Sequence, residues 1–231
     1  MSDAKILTPI STPNLSDAVY QQLRQLIVDR QYSAGQRLDL KDLEARLQVS
    51  RTPLKIALKR LELEGLVDIQ ARRGTFIAQI DAEQLNDNYK IRSSFELYVA
   101  LCIFKYLSDD DYQRISHIQN TMNQLVDTCD NNWHDIIDDY IELDQEFHEL
   151  LVRVGGPPKM LAMFQQTGIH RQLYQVLPHY TLRDFQMMHF EHEQIFSAIQ
   201  NRSSERLSAS LLNHLEAARH RVISILQQSD R

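Results

Sequence analysis

The segment that most constrains the fold of this chain spans residues 39–78. An apolar-patterned stretch at residues 40–47 leads through a two-residue turn into a second apolar-patterned stretch that follows Ser50. Asp39 and Ser50 are residue types that cap helices, and Pro53 fits a first helical turn because its missing N–H would be unpaired there. The pattern therefore predicts two helices joined by a tight turn.

A predicted β-hairpin follows the second helix. Gly65 ends that helix, because the left-handed position after a helix is most easily taken by glycine. The β-rich runs 66–69 and 75–78 then flank a basic turn at residues 70–74. Two helices followed by a hairpin with a basic tip form a winged helix-turn-helix, in which the second helix enters the major groove of DNA.

Basic and small polar side chains mark the surface of this segment that would face DNA. The first turn of the second helix carries bases, at a position where side chains reach base edges and free N–H groups attract phosphate. The wing adds two arginines that suit a minor groove or a phosphate. A solvated basic helix face would show the same spacing, so both interpretations stay open. The predicted DNA contacts are Lys41, Ser50, Arg51, Thr52, Lys55, Arg72, Arg73 and Gly74.

The two halves of the chain differ in charge. Residues 1–80 contain 12 Lys and Arg against 9 Asp and Glu, whereas residues 81–231 contain 13 against 22. The formal net charge of −6 therefore hides a basic N-terminal half. A phosphate backbone responds to charges within a Debye length of about 10 Å, so the charge of the whole chain does not argue against nucleic acid. The asymmetry predicts two domains with different partners.

Residues 81–231 show helical periodicity throughout. Six apolar-patterned segments are separated by short breakers. We therefore expect a mainly α fold, with an N-terminal winged helix-turn-helix domain and a C-terminal antiparallel six-helix bundle. The predicted helices span residues 82–106, 109–130, 133–153, 158–177, 181–200 and 203–228. The predicted domains are a flexible arm at 1–13, the winged helix-turn-helix at 14–80 and an all-α domain at 81–231.

The composition favours a cytoplasmic protein. No apolar run approaches the roughly 20 residues needed to cross a membrane. The first residues lack the apolar core of a signal peptide. Cys102 and Cys129 stand alone, without metal-site or disulfide-framework spacing, which favours reduced thiols. We expect a cytoplasmic protein with no membrane partner, associated with chromosomal DNA.

Four side chains of the acidic half suit a metal site. Asp144 and His148 are four residues apart and project from one helix face, and His192 and His214 lie on two later amphipathic segments. Three imidazoles and one carboxylate from three antiparallel helices suit Zn²⁺, Ni²⁺ or Mn²⁺ with open positions. Histidines beside apolar residues are often simply packed, so spacing alone leaves both interpretations open.

The helix-turn-helix segment carries its motifs in a specific order. They are Leu43-Glu44-Ala45-Arg46-Leu47-Gln48-Val49-Ser50-Arg51-Thr52-Pro53-Leu54-Lys55, then Leu61-Glu62, then Glu64-Gly65-Leu66-Val67, then Arg73-Gly74-Thr75-Phe76. This order closely resembles the GntR family of bacterial transcription regulators, and the resemblance implies sequence-specific binding to double-stranded DNA. Lys55 departs from the usual Arg of that family and Ile56 from the usual Glu. Lysine keeps the charge but loses the two-pronged contact to guanine.

The acidic half resembles the FCD-type ligand domain of the FadR branch of that family, in its metal-binding form. That form carries Asp-x-x-x-His on one helix and single histidines on the last two, which Asp144, His148, His192 and His214 match. The resemblance implies a divalent metal ion that offers an open position to a carboxylate. It also implies that an arginine of the first bundle helix completes the clamp, and Arg92 matches that position.

Two further points qualify this resemblance. A surface ion pair between Arg92 and Glu96, one helical turn apart, is the alternative role for Arg92. Arg171 is a second, weaker candidate for effector binding. Residues 155–158, Gly-Gly-Pro-Pro, depart from the small residue, Gly and Asn that are usual after the Asp/His helix.

The resemblance leads to a functional hypothesis. We expect a transcription regulator that pairs as a homodimer, reads a pseudo-palindromic operator and responds to a small carboxylate metabolite. Release of the operator on effector binding is the commoner outcome in that family, so we expect a repressor. The alternative is a metal-sensing regulator in which the ion itself is the signal. A metallohydrolase is a third reading, but no His-Glu-x-x-His pattern or nucleophile constellation is evident, so we expect no enzyme.

Overall fold

The computed structural model of this chain describes residues 15–29, 31–129 and 132–229. Two compact units are present, Met1–Ala78 and Gln79–Arg231. The arm predicted at residues 1–13 lies outside the described residues. Helices dominate both units, which confirms the expectation of a mainly α fold.

The first unit combines three helices with a small antiparallel sheet. The helices are α1 (Leu15–Val28), α2 (Leu40–Leu47) and α3 (Arg51–Leu63). The strands are β1 (Arg37–Leu38), β2 (Val67–Gln70) and β3 (Gly74–Ile77), in the order β1-β3-β2. The hairpin of β2 and β3 is the predicted one, and the short β1 was not predicted because two residues carry no readable alternation.

Capping accounts for two helix boundaries in this unit, the start of α2 and the end of α3. The carboxylate of Asp39 accepts the N–H groups of Lys41 and Asp42, as its residue type predicts. Gly65 adopts a left-handed φ of 71° after α3, the conformation expected there. Ser50 takes the predicted N-cap position before α3, but its hydroxyl makes no hydrogen bond to the first turn of that helix. Ser50 is exposed, so water can satisfy the same N–H groups.

The core of the first unit holds the recognition elements in place. Helix α1 packs against α3, and the side chains of Leu23, Leu54 and Leu61 between them are fully buried. The hairpin contributes Val67 and Ile77 to the same core. Leu54, Ala57, Leu58 and Leu61 of α3 are buried in this core. Arg51, Lys55 and Lys59 lie on other faces of the helix and are exposed.

The second unit is a bundle of long helices. Among the described residues of this unit there is no strand. The helices are α4 (Ala82–Tyr106), α5 (Asp109–Thr128), α6 (Ile137–Gly155), α7 (Pro158–Gln166), α8 (Ile169–Val176), α9 (Leu182–Gln200) and α10 (Ser204–Ser229). Helix α10 packs against α4 and α9, and α4 packs against α6, so these four helices enclose the main core.

One predicted helix is two helices in the structure. The segment predicted at 158–177 divides into α7 and α8 at Gly168, which adopts a left-handed φ of 64°. The apolar periodicity continues across this break, and a lone glycine inside a helical pattern is only a weak stop signal. The turn lets α8 leave the direction of α7, and the bundle therefore has seven α-helices among its described residues instead of six.

Although α4 and α10 are long enough, no described helix is apolar enough over sufficient length to cross a bilayer.

Candidate metal centre and nucleic-acid interface

Four predicted ligands meet inside the second unit. Asp144 and His148 come from α6, His192 from α9 and His214 from α10, and all four side chains are buried. One ligand atom of each lies within 4.8 Å of the others. The Nε2 atom of His192 lies 2.8 Å from Oδ1 of Asp144 and 3.3 Å from Nε2 of His148. Helical spacing alone brings Asp144 and His148 to one face, and the packing of α9 and α10 supplies the other two.

Each of the three imidazoles turns its Nδ1 atom towards a protein oxygen. This contact leaves Nε2 of His148 and of His192 free to face the cluster, which is the usual arrangement of metal-bound histidine. The three pairs are His148 with Oε2 of Glu96 at 2.6 Å, His192 with the carbonyl of Met188 at 2.9 Å, and His214 with Oε2 of Glu191 at 3.0 Å.

These residues fit a divalent transition-metal ion. Such an ion holds nitrogen and oxygen ligands at about 2.0–2.2 Å, so two ligands on opposite sides lie about 4.2 Å apart. The 4.8 Å spread of the four ligand atoms is close to that span, and small side-chain rotations would close it. Three imidazoles and one carboxylate suit zinc, nickel or manganese, and the donor set alone does not choose among them.

The protonation states of the cluster also favour a metal. Burial lowers the pKa of His148 to about 3, and it also lowers the pKa of His214. Burial raises the pKa of Asp144, but contacts with His170 and His192 lower that pKa well below its usual range. At neutral pH His148 and His214 are therefore neutral and Asp144 is ionised, and these are the forms that bind metal.

Arg92 lies beside this centre and is buried, with only 2% of its surface exposed. Its Nε atom donates to Oε1 of Glu96 at 2.6 Å. The predicted surface pair between these residues is therefore present, but it lies inside the bundle. The Nη2 atom of Arg92 is buried and has no hydrogen-bond partner in the described part of the chain. The ring of Phe164 lies 5.4 Å from the guanidinium carbon.

Sequence reasoning missed three polar side chains that surround the cluster. Glu96, Glu191 and His170 all contact predicted ligands and are all buried. Glu191 also accepts two hydrogen bonds from Arg221, at 2.8 and 2.6 Å. For Glu191 the sequence did contain a signal, because it directly precedes the predicted ligand His192. The side chain of Arg171, the second predicted effector residue, lies outside the described part.

The first unit exposes a basic surface on α2, α3 and the hairpin. Lys41, Lys55, Arg72 and Arg73 are exposed and make no ion pair with any described residue. Arg51 lies 3.8 Å from a carboxylate oxygen of Glu44, a loose exposed contact. Ser50 and Thr52 are exposed on the same end of α3. The predicted contacts therefore lie on the surface, where DNA can reach them.

Not every basic residue of α3 belongs to that surface. Arg60 pairs with Asp17 of α1, and its guanidinium carbon lies 3.8 Å from the centre of the Tyr20 ring. Lys59 pairs with Glu62 one turn along the same helix. The first turn of α3, with Arg51 and Lys55, is thus the part of the helix with the least neutralised charge.

The wing glycine occupies a restricted position. Gly74 pairs with Gln70 across the hairpin and has a φ of 129°, which residues with a side chain rarely adopt. A Cβ atom there would lie 2.9 Å from Nε of Arg37. Arg37 of β1 therefore packs against the wing, and it adds an exposed base that sequence reasoning missed.

Comparison with known proteins assigns both units. The model of the bacterial regulatory proteins of the gntR family matches residues 15–77, and the FCD domain model matches residues 87–217. The transcriptional repressor RspR of Escherichia coli K12 is 26% identical over 220 residues, which cover 94% of this chain and 93% of that protein. The Nta operon transcriptional regulator of Aminobacter aminovorans is 25% identical over 202 residues, which cover 87% and 91%.

Two solved structures share the fold. The structure of McbR/YncC of E. coli matches with a TM-score of 0.60 at 18% identity, and the match covers 96% of this chain and 100% of that one. A regulator described as a putative GntR protein from Rhodococcus sp. RHA1 has a TM-score of 0.60 at 19% identity, over 92% and 99%. At these identities the likeness concerns the arrangement of helices and not the ligand of either protein.

Proposed function

This chain belongs to the GntR family of bacterial regulatory proteins and carries its FCD domain, and we propose that a small organic acid bound at a metal ion controls its affinity for an operator. Membership of the family makes the chain a DNA-binding transcription regulator and not an enzyme. The acid, the metal and the direction of control are the parts that we propose.

The unpaired Nη2 atom of Arg92 carries the proposal for the effector. A buried guanidinium N–H without an acceptor is unfavourable, and a carboxylate would supply the acceptor. Burial lowers the pKa of Arg92, but Glu96 and Asp144 raise it more, so the group stays charged beside the proposed metal ligands. A metal ion held by Asp144, His148, His192 and His214 would supply a Lewis-acidic open position. Arg92 would then donate a hydrogen bond to the second oxygen of the same carboxylate.

We propose that α4 transmits the bound state to the DNA-binding unit. This helix carries Arg92 and Glu96 and begins at Ala82, four positions after the first unit ends at Ala78. An effector that binds Arg92 therefore contacts the helix that follows directly after the connection between the two units. Such an effector shifts an equilibrium only through different affinities for the DNA-competent and incompetent states.

At the operator, two copies of the chain would each place one α3 in the major groove. We propose Lys41, Arg51, Thr52 and Lys55 as contacts of the helices, with Ser50 at the start of α3. Arg72, Arg73 and Gly74 of the wing would lie along the adjacent backbone or minor groove. A homodimer would require a pseudo-palindromic site. One relative is named a repressor, so we propose release of DNA on effector binding.

The test is an operator-binding titration on protein loaded with Zn²⁺. Operators are selected from random-sequence DNA by the protein itself, and binding is followed by fluorescence anisotropy against a panel of mono-, di- and tricarboxylates. We expect at least one acid to weaken DNA binding for the wild type, and Arg92→Met to bind DNA normally but not to respond. Arg153→Met, on the exposed end of α6, is the control that should respond like the wild type.

Two results would contradict the proposal. If no acid of the panel changes operator affinity, the effector function is wrong. If Arg92→Met responds as strongly as the wild type, the effector does not use the proposed clamp.

A metal-sensing regulator remains a second candidate, because each of the three proposed histidine ligands has a protein oxygen that orients it. Oriented ligands raise the affinity for metal, which a site needs if its occupancy is itself the signal. The two candidates differ in one measurement, the operator affinity of apo and metal-loaded protein in buffer without carboxylates. A large change there would favour metal sensing, and no change would favour the organic acid.

A further inference from the structure

His170 is the one imidazole near the cluster that the four-ligand set does not include. It lies on α8, just after the left-handed turn at Gly168, and only 7% of its surface is exposed. Its Nε2 atom lies 2.9 Å from Oδ2 of Asp144. The ligand atoms within 4.8 Å of one another belong to Asp144, His148, His192 and His214. His170 therefore touches the cluster from outside.

The two oxygens of Asp144 face different neighbours. Oδ1 lies 2.8 Å from Nε2 of His192 and 3.8 Å from Nε2 of His148, so this oxygen faces the proposed metal. Oδ2 faces His170. A carboxylate with one oxygen held elsewhere binds a metal ion through the other oxygen alone, and a coordination position then stays free.

Each of the other three ligands also has one side-chain atom held by a protein group outside the cluster. His148 is oriented by Glu96, His214 by Glu191 and His192 by the carbonyl of Met188. Asp144 has no comparable contact with a described residue except His170 on the Oδ2 side. Partners of this kind fix the direction of metal ligands, and their loss typically costs about 10–100-fold in metal affinity.

We propose that His170 is a positioning residue that holds Oδ2 of Asp144, so that Asp144 binds the metal through Oδ1 only and one coordination position remains open for the effector. The inference rests on the metal centre proposed above. The Nε2 atom makes no well-aligned hydrogen bond with a described residue at present, so a small ring rotation is needed for its N–H to point at Oδ2. The rings of Phe164 and His148 flank it, each 6.2 Å away, centre to centre.

Two substitutions separate positioning from packing. His170→Phe keeps a buried ring but removes the donor, whereas His170→Gln keeps an N–H that can reach the carboxylate. Co²⁺ serves as the probe, because its visible absorption reports coordination number while a competing chelator reports affinity. Thermal unfolding of each apo-protein shows whether the variant is folded. His189→Phe is the matched control, since His189 is a half-buried histidine of α9 that contacts the hydroxyl of Tyr140 instead of the cluster.

We expect His170→Phe to weaken Co²⁺ binding about 10–100-fold and to change the absorption towards higher coordination, as Asp144 becomes bidentate. His170→Gln should restore most of the affinity and the spectrum, and His189→Phe should resemble the wild type. Wild-type affinity and spectrum in His170→Phe would show that His170 is only a core residue. Equal losses in the Phe and Gln variants would show that the imidazole itself is required, and would also overturn the proposal. A wild-type chain that binds no Co²⁺ would remove the metal centre as well.

Discussion

Oε2 of Glu96 lies 2.6 Å from Nδ1 of His148, although 52 residues separate them in the chain. The other carboxylate oxygen of Glu96 lies 2.6 Å from Nε of Arg92. One buried carboxylate thus links a proposed metal ligand to the proposed effector arginine. Burial alone would raise the pKa of Glu96, but His148 and Arg92 have the larger effect and lower this pKa to about 2. The carboxylate is therefore ionised at neutral pH.

Glu96→Gln should therefore weaken both metal and effector binding. The amide is neutral and no longer compensates the buried guanidinium of Arg92, and it orients His148 less strongly. We expect Zn²⁺ affinity to fall about 10–100-fold in a chelator competition assay. Glu149→Gln is the control, because Glu149 lies one residue after His148 but bonds to Gln145 and Gln165 at the surface. Unchanged Zn²⁺ affinity in Glu96→Gln would refute the orienting role.

The basic surface of the first unit leads to a prediction about salt. Lys41 is exposed and has no acidic partner among described residues, so a phosphate contact is its proposed role. Lys41→Met should lower operator affinity equally for all sequences and reduce the slope of log K against log salt by about 0.9. The measurement is anisotropy at four salt concentrations. Lys105→Met, at an exposed position on α4, should leave the slope unchanged. An unchanged slope for Lys41→Met would remove Lys41 from the interface.

Lys55 gives a prediction about base recognition. It is exposed on the first turns of α3, where a guanidinium could contact guanine through two hydrogen bonds and an ammonium cannot. Lys55→Arg should therefore sharpen the preference for guanine at one position of each half-site by about 1–3 kcal/mol. The check is binding to four operators that differ only at that base pair. A uniform change across the four would show that residue 55 contacts phosphate only.

The sequence predicted those features that depend on local pattern. Apolar periodicity identified α4 and α9 within a residue or two, and the cap at Asp39 followed from its residue type. Spacing placed Asp144 and His148 on one helix face, and the resemblance to the metal-binding form of the family selected His192 and His214 with them. Turn chemistry was less informative, since Gly168 sits inside an unbroken apolar pattern and the division of α7 from α8 was missed.

Contacts between distant segments could not be predicted in the same way. Nothing in the spacing of Glu96 and His148 indicates that they meet, because the crossing of α4 and α6 decides it. His170 was passed over for the same reason, since its partner Asp144 lies on another helix. Helix packing, and not local propensity, brings the partners of metal ligands together.

Gly155 lies where α6 crosses α4 closely. A Cβ atom at this position would come within 2.7 Å of Cγ1 of Val99 and 3.3 Å of Cα of Ile103. Gly155→Ala should therefore force the two helices apart and cost about 1–3 kcal/mol, although alanine favours helix more than glycine does. The measurement is urea unfolding of the apo-protein. Val99→Ala removes the atom nearest to the added Cβ. Gly155→Ala should therefore cost much less in the Val99→Ala background than in the wild type. Additive losses would contradict the packing argument.

The last prediction concerns pH. Burial lowers the pKa of His148 to about 3 and of His189 to about 4, and it also lowers those of His170 and His214. Their unfolded pKa is about 6.5, so the unfolded chain binds more protons than the folded one below that pH. The stability that comes from neutral histidines is complete above pH 6.5 and declines as the pH falls towards 4.

In this window histidines bind more of the protons than carboxylates do, because unfolded histidine is half-protonated at about pH 6.5 and unfolded Glu and Asp only at about pH 4.3 and 3.9. Urea unfolding of the apo-protein, measured between pH 7.5 and 5, should show the free energy of unfolding fall by about 1.4 kcal/mol per pH unit for each proton taken up. His189→Phe removes one of these groups from outside the cluster and should make the slope shallower by up to one proton. Metal binding competes with the same protons, so saturating Zn²⁺ should move the decline to lower pH. A free energy of unfolding that stays constant from pH 7.5 to 5 would show that the buried histidines bind protons in the folded chain as readily as in the unfolded one, and the lowered pKa values of their imidazoles would then be wrong.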